Sequence, residues 1–141
     1  MYISRSAEKH KGQNLPYYSP IQEKILKAAQ FISSHYSEKL TLDELASRFS
    51  VSRYYFCRTF KEITGFCLVE YINSIRIKEA QRLLLKTNRP IIDIALQVGF
   101  QNPTHFSRIF RALLRYSPSE YRKRAQASGS PVAARAMEPA R

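Results

Sequence analysis

Residues 56–71 read FCRTFKEITGFCLVEY, and fifty positions later residues 106–121 read FSRIFRALLRYSPSEY. Five of these sixteen positions are identical, namely the pairs Phe56/Phe106, Arg58/Arg108, Phe60/Phe110, Glu70/Glu120 and Tyr71/Tyr121. Upstream, residues 42–46 match residues 91–95 at a shift of 49, so the second copy has one extra residue in the turn that follows. The chain therefore contains an internal repeat, which indicates a duplicated structural unit.

Each copy has the pattern of a short helix, a tight turn and a longer helix. Thr41 and Glu44 form a capping-box pattern before the first short helix, and Ser52 and Asn102 occupy equivalent N-cap positions before the longer helices. Gly65 is a good terminator for the first longer helix. Two helices joined by a short turn form a helix-turn-helix, whose second helix can enter a DNA major groove. The sequence thus predicts two helix-turn-helix subdomains, at about residues 41–65 and 90–115.

The rest of the chain also shows helical periodicity. Apolar residues recur at helical spacing nearly everywhere, which predicts an all-α fold of about seven helices. Ser19 and Pro20 favour the start of a first helix, and a long linker helix at about 67–87 joins the two subdomains. At 1.5 Å per residue this linker spans about 27–30 Å. We expect residues 1–19 to form a flexible arm, residues 20–124 a folded domain and residues 125–141 a disordered tail.

The composition of this 141-residue chain is strongly basic. Its 23 Lys and Arg residues oppose 11 Asp and Glu, which gives a formal net charge of +12. A polyanion is the expected partner, although charge alone fits a nucleic-acid binder, a membrane-surface binder and an RNA-associated protein equally well. No apolar run approaches the roughly 18 residues of a membrane helix, and the N-terminus lacks the apolar core of a secretory signal. We therefore expect a cytoplasmic protein without a membrane partner.

Helical projection gives each longer helix an apolar arc and an opposite, basic arc. The apolar residues expected to be buried are Phe56, Phe60, Ile63, Phe106, Phe110 and Leu113. The outer arcs carry hydrogen-bonding and cationic side chains: Arg53, Tyr54, Cys57, Arg58 and Lys61 in the first copy, and Thr104, Ser107, Arg108 and Arg111 in the second. A solvated helix face would explain any single arginine. Two equivalent faces with equivalent cations instead favour contact with DNA.

These residues resemble the AraC/XylS family of transcription regulators. The second half carries the more specific pattern, IxxIAxxVGFxxxxxFSRxFRxxxxxSPxEYR over residues 91–122, and the resemblance covers about residues 21–124. It implies an AraC-type DNA-binding domain whose two recognition helices read successive major grooves on one side of double-stranded DNA. The implied function is sequence-specific transcription regulation, by an activator that also touches RNA polymerase. We expect it to bind as a monomer, because the duplication supplies two reading helices within one chain. The alternative is a non-specific nucleoid or RNA-binding basic protein.

The resemblance also implies which side chains touch DNA. Base-edge contacts are expected from Tyr54, Cys57, Arg58, Thr104, Ser107 and Arg108. The two arginines are the leading candidates because a guanidinium can donate two hydrogen bonds to guanine O6 and N7. Contacts to the DNA backbone are expected from Arg53, Lys61, Gln101, Asn102 and Arg111. One departure stands out, because family members commonly have glycine at the end of the second recognition helix, where this chain has Arg115.

Other residues do not indicate catalysis, a cofactor or a metal. His10, His35 and His105 lack metal-ligand spacing, and two cysteines make neither a disulfide scaffold nor a zinc site. Because nothing in the sequence acidifies a thiol, we expect Cys57 to be buried or inert, and Cys67 to pack. We therefore expect no enzyme activity and no cofactor, in a cytoplasmic, nucleoid-associated protein.

Overall fold

The computed structural model describes residues 18–128. Its seven helices are α1 (Pro20–His35), α2 (Leu42–Arg48), α3 (Arg53–Thr64), α4 (Leu68–Lys86), α5 (Ile91–Gln97), α6 (Pro103–Leu114) and α7 (Pro118–Ser128). This part of the chain has no β-strand, which confirms the all-α prediction with its two helix-turn-helix subdomains and linker helix. Of the flexible arm predicted for residues 1–19, positions 1–17 lie outside the described residues. Of the disordered tail predicted for residues 125–141, positions 129–141 lie outside them.

One boundary was predicted wrongly. Helix α7 continues to Ser128, so residues 125–128, which we expected to begin a disordered tail, are helical. The sequence of α7 ends in RKRAQAS, which is rich in residues of high helix propensity. These residues extend the helix even though it has no continuous apolar face at this end.

The helix starts follow the local capping chemistry. At α1, the Ser19 hydroxyl accepts from the Gln22 N–H at 3.3 Å, and the Ser19 N–H donates to Gln22 Oε1 at 2.9 Å, which completes a capping box. At α2, the Glu44 N–H donates to the Thr41 hydroxyl at 3.1 Å, while that hydroxyl donates to the Glu44 carboxylate at 3.0 Å. Each arrangement satisfies a main-chain donor that the first turn of a helix leaves unpaired.

The chain divides into two compact units, with the boundary between Ile72 and Asn73 inside α4. In the first unit the core is formed by the apolar faces of α1, α2, α3 and the start of α4. In the second unit it is formed by the rest of α4 together with α5, α6 and α7. Burying each large apolar side chain contributes about 1.5–3 kcal/mol to the free energy of unfolding, so these buried residues stabilise each unit.

An aromatic ladder is repeated in the two cores and explains the identical aromatic residues of the repeat. Neighbouring ring centroids lie 5.7 and 5.1 Å apart in the first unit and 5.6 and 5.5 Å apart in the second. In each case the last contact is edge-to-face, a favourable geometry for aromatic pairs. The rings are Phe56, Phe60 and Tyr71 in the first unit and Phe106, Phe110 and Tyr121 in the second. In the second unit the tyrosine hydroxyl also accepts from Gln81 Nε2 at 3.1 Å.

The predicted buried arc was correct for α3 and wrong at one position of α6. Ile63 is buried as expected, but Leu113 is only half-buried, and Leu114 takes the core position. The residue equivalent to Leu114 in the first unit is Thr64, whose hydroxyl donates to the Phe60 carbonyl at 2.8 Å. An apolar leucine at this position can enter the core, whereas the threonine keeps its hydroxyl hydrogen-bonded to the main chain.

Candidate DNA-binding interface

The turn of the first helix-turn-helix is held by two hydrogen bonds back into α2. The Ser50 N–H donates to the Ser47 carbonyl at 3.1 Å, and the Val51 N–H donates to the Ala46 carbonyl at 2.8 Å. Ser50 has a positive φ of 57°. This pattern is a Schellman motif, which reverses the chain within a few residues and leads directly into α3.

The second turn repeats this geometry. Gly99, with a φ of 113°, and Phe100 donate the same two bonds back into α5, at 3.1 and 3.0 Å. The two copies of the repeat therefore align at a shift of 49 residues as far as Val51 and Phe100. From the N-cap pair Ser52 and Asn102 onward they align at a shift of 50 residues. The extra residue of the second copy is Gln101, which lies between the turn and the cap.

Helices α3 and α6 both begin at a capped residue. The Ser52 hydroxyl accepts from the Tyr55 N–H at 3.3 Å. Asn102 Oδ1 accepts from the N–H groups of Thr104 and His105, at 2.8 and 3.3 Å. The cap occupies the side-chain oxygen of Asn102 and leaves its NH₂ group able to donate to a phosphate.

The structure brings the candidate residues together in two sets, one in each unit. The candidates for backbone contact are all exposed: Arg53, Lys61, Gln101, Asn102 and Arg111. Of the candidates for base contact, one is half-buried, Ser107, and the others are exposed: Tyr54, Cys57, Arg58, Thr104 and Arg108. Cys57 is exposed, which agrees with its predicted place on the outer face, whereas the buried thiol that we expected as one alternative is wrong.

The prediction that Cys67 packs is wrong, because this residue is exposed. Its position just before α4 is instead fixed by its main chain, since the Cys67 N–H donates to Glu70 Oε1 at 3.1 Å. This hydrogen bond is the first cause that holds the pKa of the Glu70 carboxyl below its ordinary value, and Lys61 adds to the effect.

Acidic side chains lie against two cations of the first unit. Arg53 Nε is 2.7 Å from Asp43 Oδ1, and Arg58 Nε is 3.5 Å from Glu62 Oε2. The Tyr54 phenol, followed by the Glu62 carboxylate, raises the pKa of Arg58. These pairs are largely exposed, and such pairs contribute about 0–1 kcal/mol to stability. The cations can therefore exchange a carboxylate for another anion at low cost.

Helix α6 has a different electrostatic environment from α3. Helix α6 contains no Asp or Glu, and Ala112 stands where α3 has Glu62. Arg108 Nη2 lies 2.8 Å from Nδ1 of His105, and Arg111 Nη1 lies 3.4 Å from Glu120 Oε1. The outer face of α6 thus presents its arginines without a carboxylate of its own helix.

Glu120 ties the end of α6 to the start of α7. It accepts from the Ser117 N–H at 2.9 Å, and its own N–H donates to the Ser117 hydroxyl at 3.2 Å, which makes a complete capping box. The hydrogen bond from the Ser117 main chain is the leading cause that lowers the pKa of the Glu120 carboxyl, with Arg111 and Arg124 contributing.

Four partners of the candidate residues were not predicted from the sequence: Asp43, Glu62, His105 and Glu120. Glu62 and His105 were detectable, because side chains three or four residues apart on a helix are neighbours. The contacts of Asp43 with Arg53 and of Glu120 with Arg111 each join two helices, so they depend on the geometry of the turn between them.

The described part of the chain, residues 18–128, has no group of three or more His, Cys, Asp or Glu side chains that could hold a metal ion. None of its helices combines the length and the apolar character that a membrane crossing requires.

Comparison with known proteins identifies the fold and its relatives. Residues 45–124 match the family described as a helix-turn-helix domain. The chain is 38% identical over 104 residues to the bifunctional transcriptional activator and DNA repair enzyme AdaA of Bacillus subtilis, and this match covers 74% of the chain and 49% of AdaA. It is 36% identical over 103 residues to the regulatory protein SoxS of Salmonella typhimurium, covering 73% of the chain and 96% of SoxS.

A solved structure shows the same fold. The DNA-binding domain of the global transcriptional factor AdpA, solved in complex with a target DNA, aligns with a TM-score of 0.72 and 28% identity. The alignment covers 74% of this chain and 95% of the AdpA domain. The chain spans about half of the length of AdaA, whereas it spans nearly all of SoxS.

Proposed function

Because the chain belongs to the AraC/XylS family and contains a helix-turn-helix DNA-binding domain, we propose that it reads a specific DNA sequence with two recognition helices. Helices α3 and α6 enter successive major grooves of double-stranded DNA. The observation that carries this proposal is the equivalence of the two units. Each presents an exposed arginine, Arg58 or Arg108, at the same position of a helix that starts from an equivalent capped turn.

In this proposal the base contacts divide between the two helices. Arg58 and Arg108 each donate to O6 and N7 of a guanine, the commonest specific contact in major grooves. Hydroxyl and thiol groups near each arginine contact the neighbouring base edges: Tyr54 and Cys57 beside the first, Thr104 and Ser107 beside the second. The exposure of these side chains supports their role, since all except the half-buried Ser107 are open to solvent.

The cations and amides around each recognition helix hold the DNA backbone. Arg53, Lys61 and Arg111 contact phosphates, and Gln101 and Asn102 do so near the start of α6. On binding, Arg53 exchanges Asp43 for phosphate, and Arg111 exchanges Glu120, which costs little because both pairs are exposed. Binding is therefore expected to weaken as the salt concentration rises, because each neutralised phosphate releases counterions.

We further propose that residues 20–124, with the helical extension to Ser128, are the DNA-binding domain of a transcription activator that contacts RNA polymerase. The name of the related AdaA supports activation. One chain binds as a monomer because the duplication supplies two reading helices in a single chain. The protein acts on DNA in the cytoplasm, associated with the nucleoid, as a regulator and not as an enzyme.

Selection of bound duplexes from a random DNA pool, followed by competition, tests this proposal. Sequence-specific binding predicts a recovered consensus that resists displacement by at least about a thousandfold excess of unrelated duplex, the lower range of known specificity ratios. The high net charge of +12 also suits a non-specific nucleoid or RNA-binding protein. That second function would yield no consensus and equal displacement by every duplex, or tighter binding to RNA.

A further inference from the structure

The two equivalent arginines are held by different partners. Arg58 lies beside the carboxylate of Glu62, whereas Arg108 Nη2 lies 2.8 Å from His105 Nδ1. A guanidinium only donates hydrogen bonds, so Nδ1 must accept. This hydrogen bond therefore requires the neutral tautomer of His105 that carries its hydrogen on Nε2.

His105 is itself anchored to the turn. Its ring meets Phe100 edge-on, with the centroids 5.8 Å apart, and its main-chain N–H donates to Asn102 Oδ1 at 3.3 Å. Phe100 is only 3% exposed and packs on Phe106 at 5.3 Å between centroids. The acceptor offered to Arg108 is thus attached to the core of the second unit, although the arginine itself is exposed.

Fixing a mobile arginine side chain against a base costs conformational entropy, and an acceptor that is itself anchored lowers this cost. The arginine side chain carries about 2 kcal/mol of rotamer entropy, part of which is lost when it is fixed against a base. The bond to His105 uses one of the five N–H donors and leaves four for the DNA. Unlike the Glu62 carboxylate beside Arg58, a neutral imidazole does not compete with DNA by charge.

We propose that His105 is a positioning residue that orients the Arg108 guanidinium toward its base pair and so helps to set the base preference of the second recognition helix. This inference rests on the proposed function, since it concerns how a DNA-reading arginine is held. His105 acts through Arg108 and makes no DNA contact of its own.

The test compares His105→Leu, which removes the acceptor, with His105→Asn, whose side-chain oxygen can occupy the place of Nδ1. The base pair read by Arg108 is first identified as the one whose preference disappears in Arg108→Ala. The readout is the ratio of affinities for the selected duplex and for the same duplex changed at that base pair. We expect His105→Leu to lower this ratio about 3- to 10-fold, the range of one net hydrogen bond, and His105→Asn to keep it within about twofold.

Two further measurements separate positioning from other roles. In the Arg108→Ala background, His105→Leu should not lower the affinity for the selected duplex any further. A further loss of affinity there would show that His105 contacts DNA directly and would overturn the proposal. An unchanged ratio in His105→Leu, or an equal loss on all duplexes, would also overturn it. If His105→Leu does not fold, His105→Ala carries the same expectations. If the wild-type protein selects no preferred duplex, the proposed function itself fails.

Discussion

Gly65 and Arg115 end the two recognition helices with the same left-handed backbone. Gly65 has φ 85° and ψ −1°, and Arg115 has φ 69° and ψ 7°. Each residue donates its N–H to the carbonyl four residues earlier at 2.8 Å. The arginine that replaces the glycine expected from the AraC/XylS resemblance therefore keeps the turn geometry, at the cost of a conformation that L-residues with a Cβ disfavour.

Arg115→Gly is expected to stabilise the protein by about 1 kcal/mol, because glycine adopts a positive φ without this strain. For a domain of this size the gain corresponds to a rise in Tm of about 4–8 °C. Thermal denaturation followed by circular dichroism measures it. The control is Arg115→Ala, which removes the same cation but keeps a Cβ at positive φ, and its Tm should stay near that of the wild type. Equal Tm values for the two variants would contradict strain as the cause.

Gly65→Ala provides the converse test in the first unit. A Cβ at this position would meet no atom within 4 Å, so only the backbone conformation disfavours it. We expect a loss of about 1 kcal/mol in the free energy of unfolding, measured by urea denaturation. A neutral substitution would show that the left-handed conformation carries no cost here.

Arg122 is expected to be important for the stability of the second unit. Its guanidinium donates to three main-chain carbonyls at the end of α4 and in the loop that follows: Leu84 at 3.1 Å, Thr87 at 3.0 Å and Arg89 at 2.7 Å. Arg122→Met should lower the free energy of unfolding by about 1–3 kcal/mol, and Arg122→Lys should not restore it, because one ammonium lacks the planar fork of donors.

The matched control for Arg122 is Lys123→Met, which removes a cation from the exposed neighbouring position of the same helix. Urea denaturation should show a change within about 0.5 kcal/mol for this control. Comparable losses in Arg122→Met and Lys123→Met would mean that charge, and not the carbonyl contacts, is responsible.

Glu120 should make stability depend on acid pH. Because its folded-state pKa is lowered, chiefly by the Ser117 N–H, the folded protein binds fewer protons than the unfolded chain in the acid range. The stabilisation is therefore present above the ordinary pKa of a glutamate and is lost as the pH falls through the lowered folded-state value. Glu120→Gln should reduce stability at neutral pH and flatten the decline in acid. Stability curves that run parallel for variant and wild type would contradict this assignment.

Glu62 is expected to weaken DNA binding by α3, since it pairs with Arg58 and repels phosphate. Glu62→Ala, which copies the Ala112 of the second helix, should raise affinity about threefold or more in fluorescence anisotropy at low salt. Glu23→Ala removes the same charge from the first turn of α1 and is the control. If both variants gain equally, the effect is one of net charge and the pairing with Arg58 has no part in it.

Much of the fold could be predicted from the sequence because its signals are local. Caps such as Ser19 and Ser52 and the terminator Gly65 mark helix ends wherever the rest of the chain lies. The choice between Leu113 and Leu114 was not predictable in this way, because both are apolar and only packing separates them. The position of the extra residue, Gln101, likewise became clear only from the hydrogen bonds of the turn.

For the candidate site, the sequence predicts which side chains lie on the outer helix faces, but not the contacts that they make. Equivalent positions in the repeat identified Arg58 and Arg108, since a helical projection places both on outer faces. Helical spacing makes Glu62 and His105 possible neighbours of these arginines, but which contact forms depends on side-chain rotamers, which a pattern of residue types does not fix.

Selection from a random DNA pool, with wild type, Arg58→Ala and Arg108→Ala in parallel, tests whether the two units read DNA separately. The wild type should recover two separated short segments, and each variant should lose base preference in one segment only, with a loss of about 1–3 kcal/mol on the full site. Lys27→Ala, which removes one cation from α1, should keep both segments. Uniform weakening on all sequences by either arginine variant, or loss of the same segment in both, would contradict the two-helix reading.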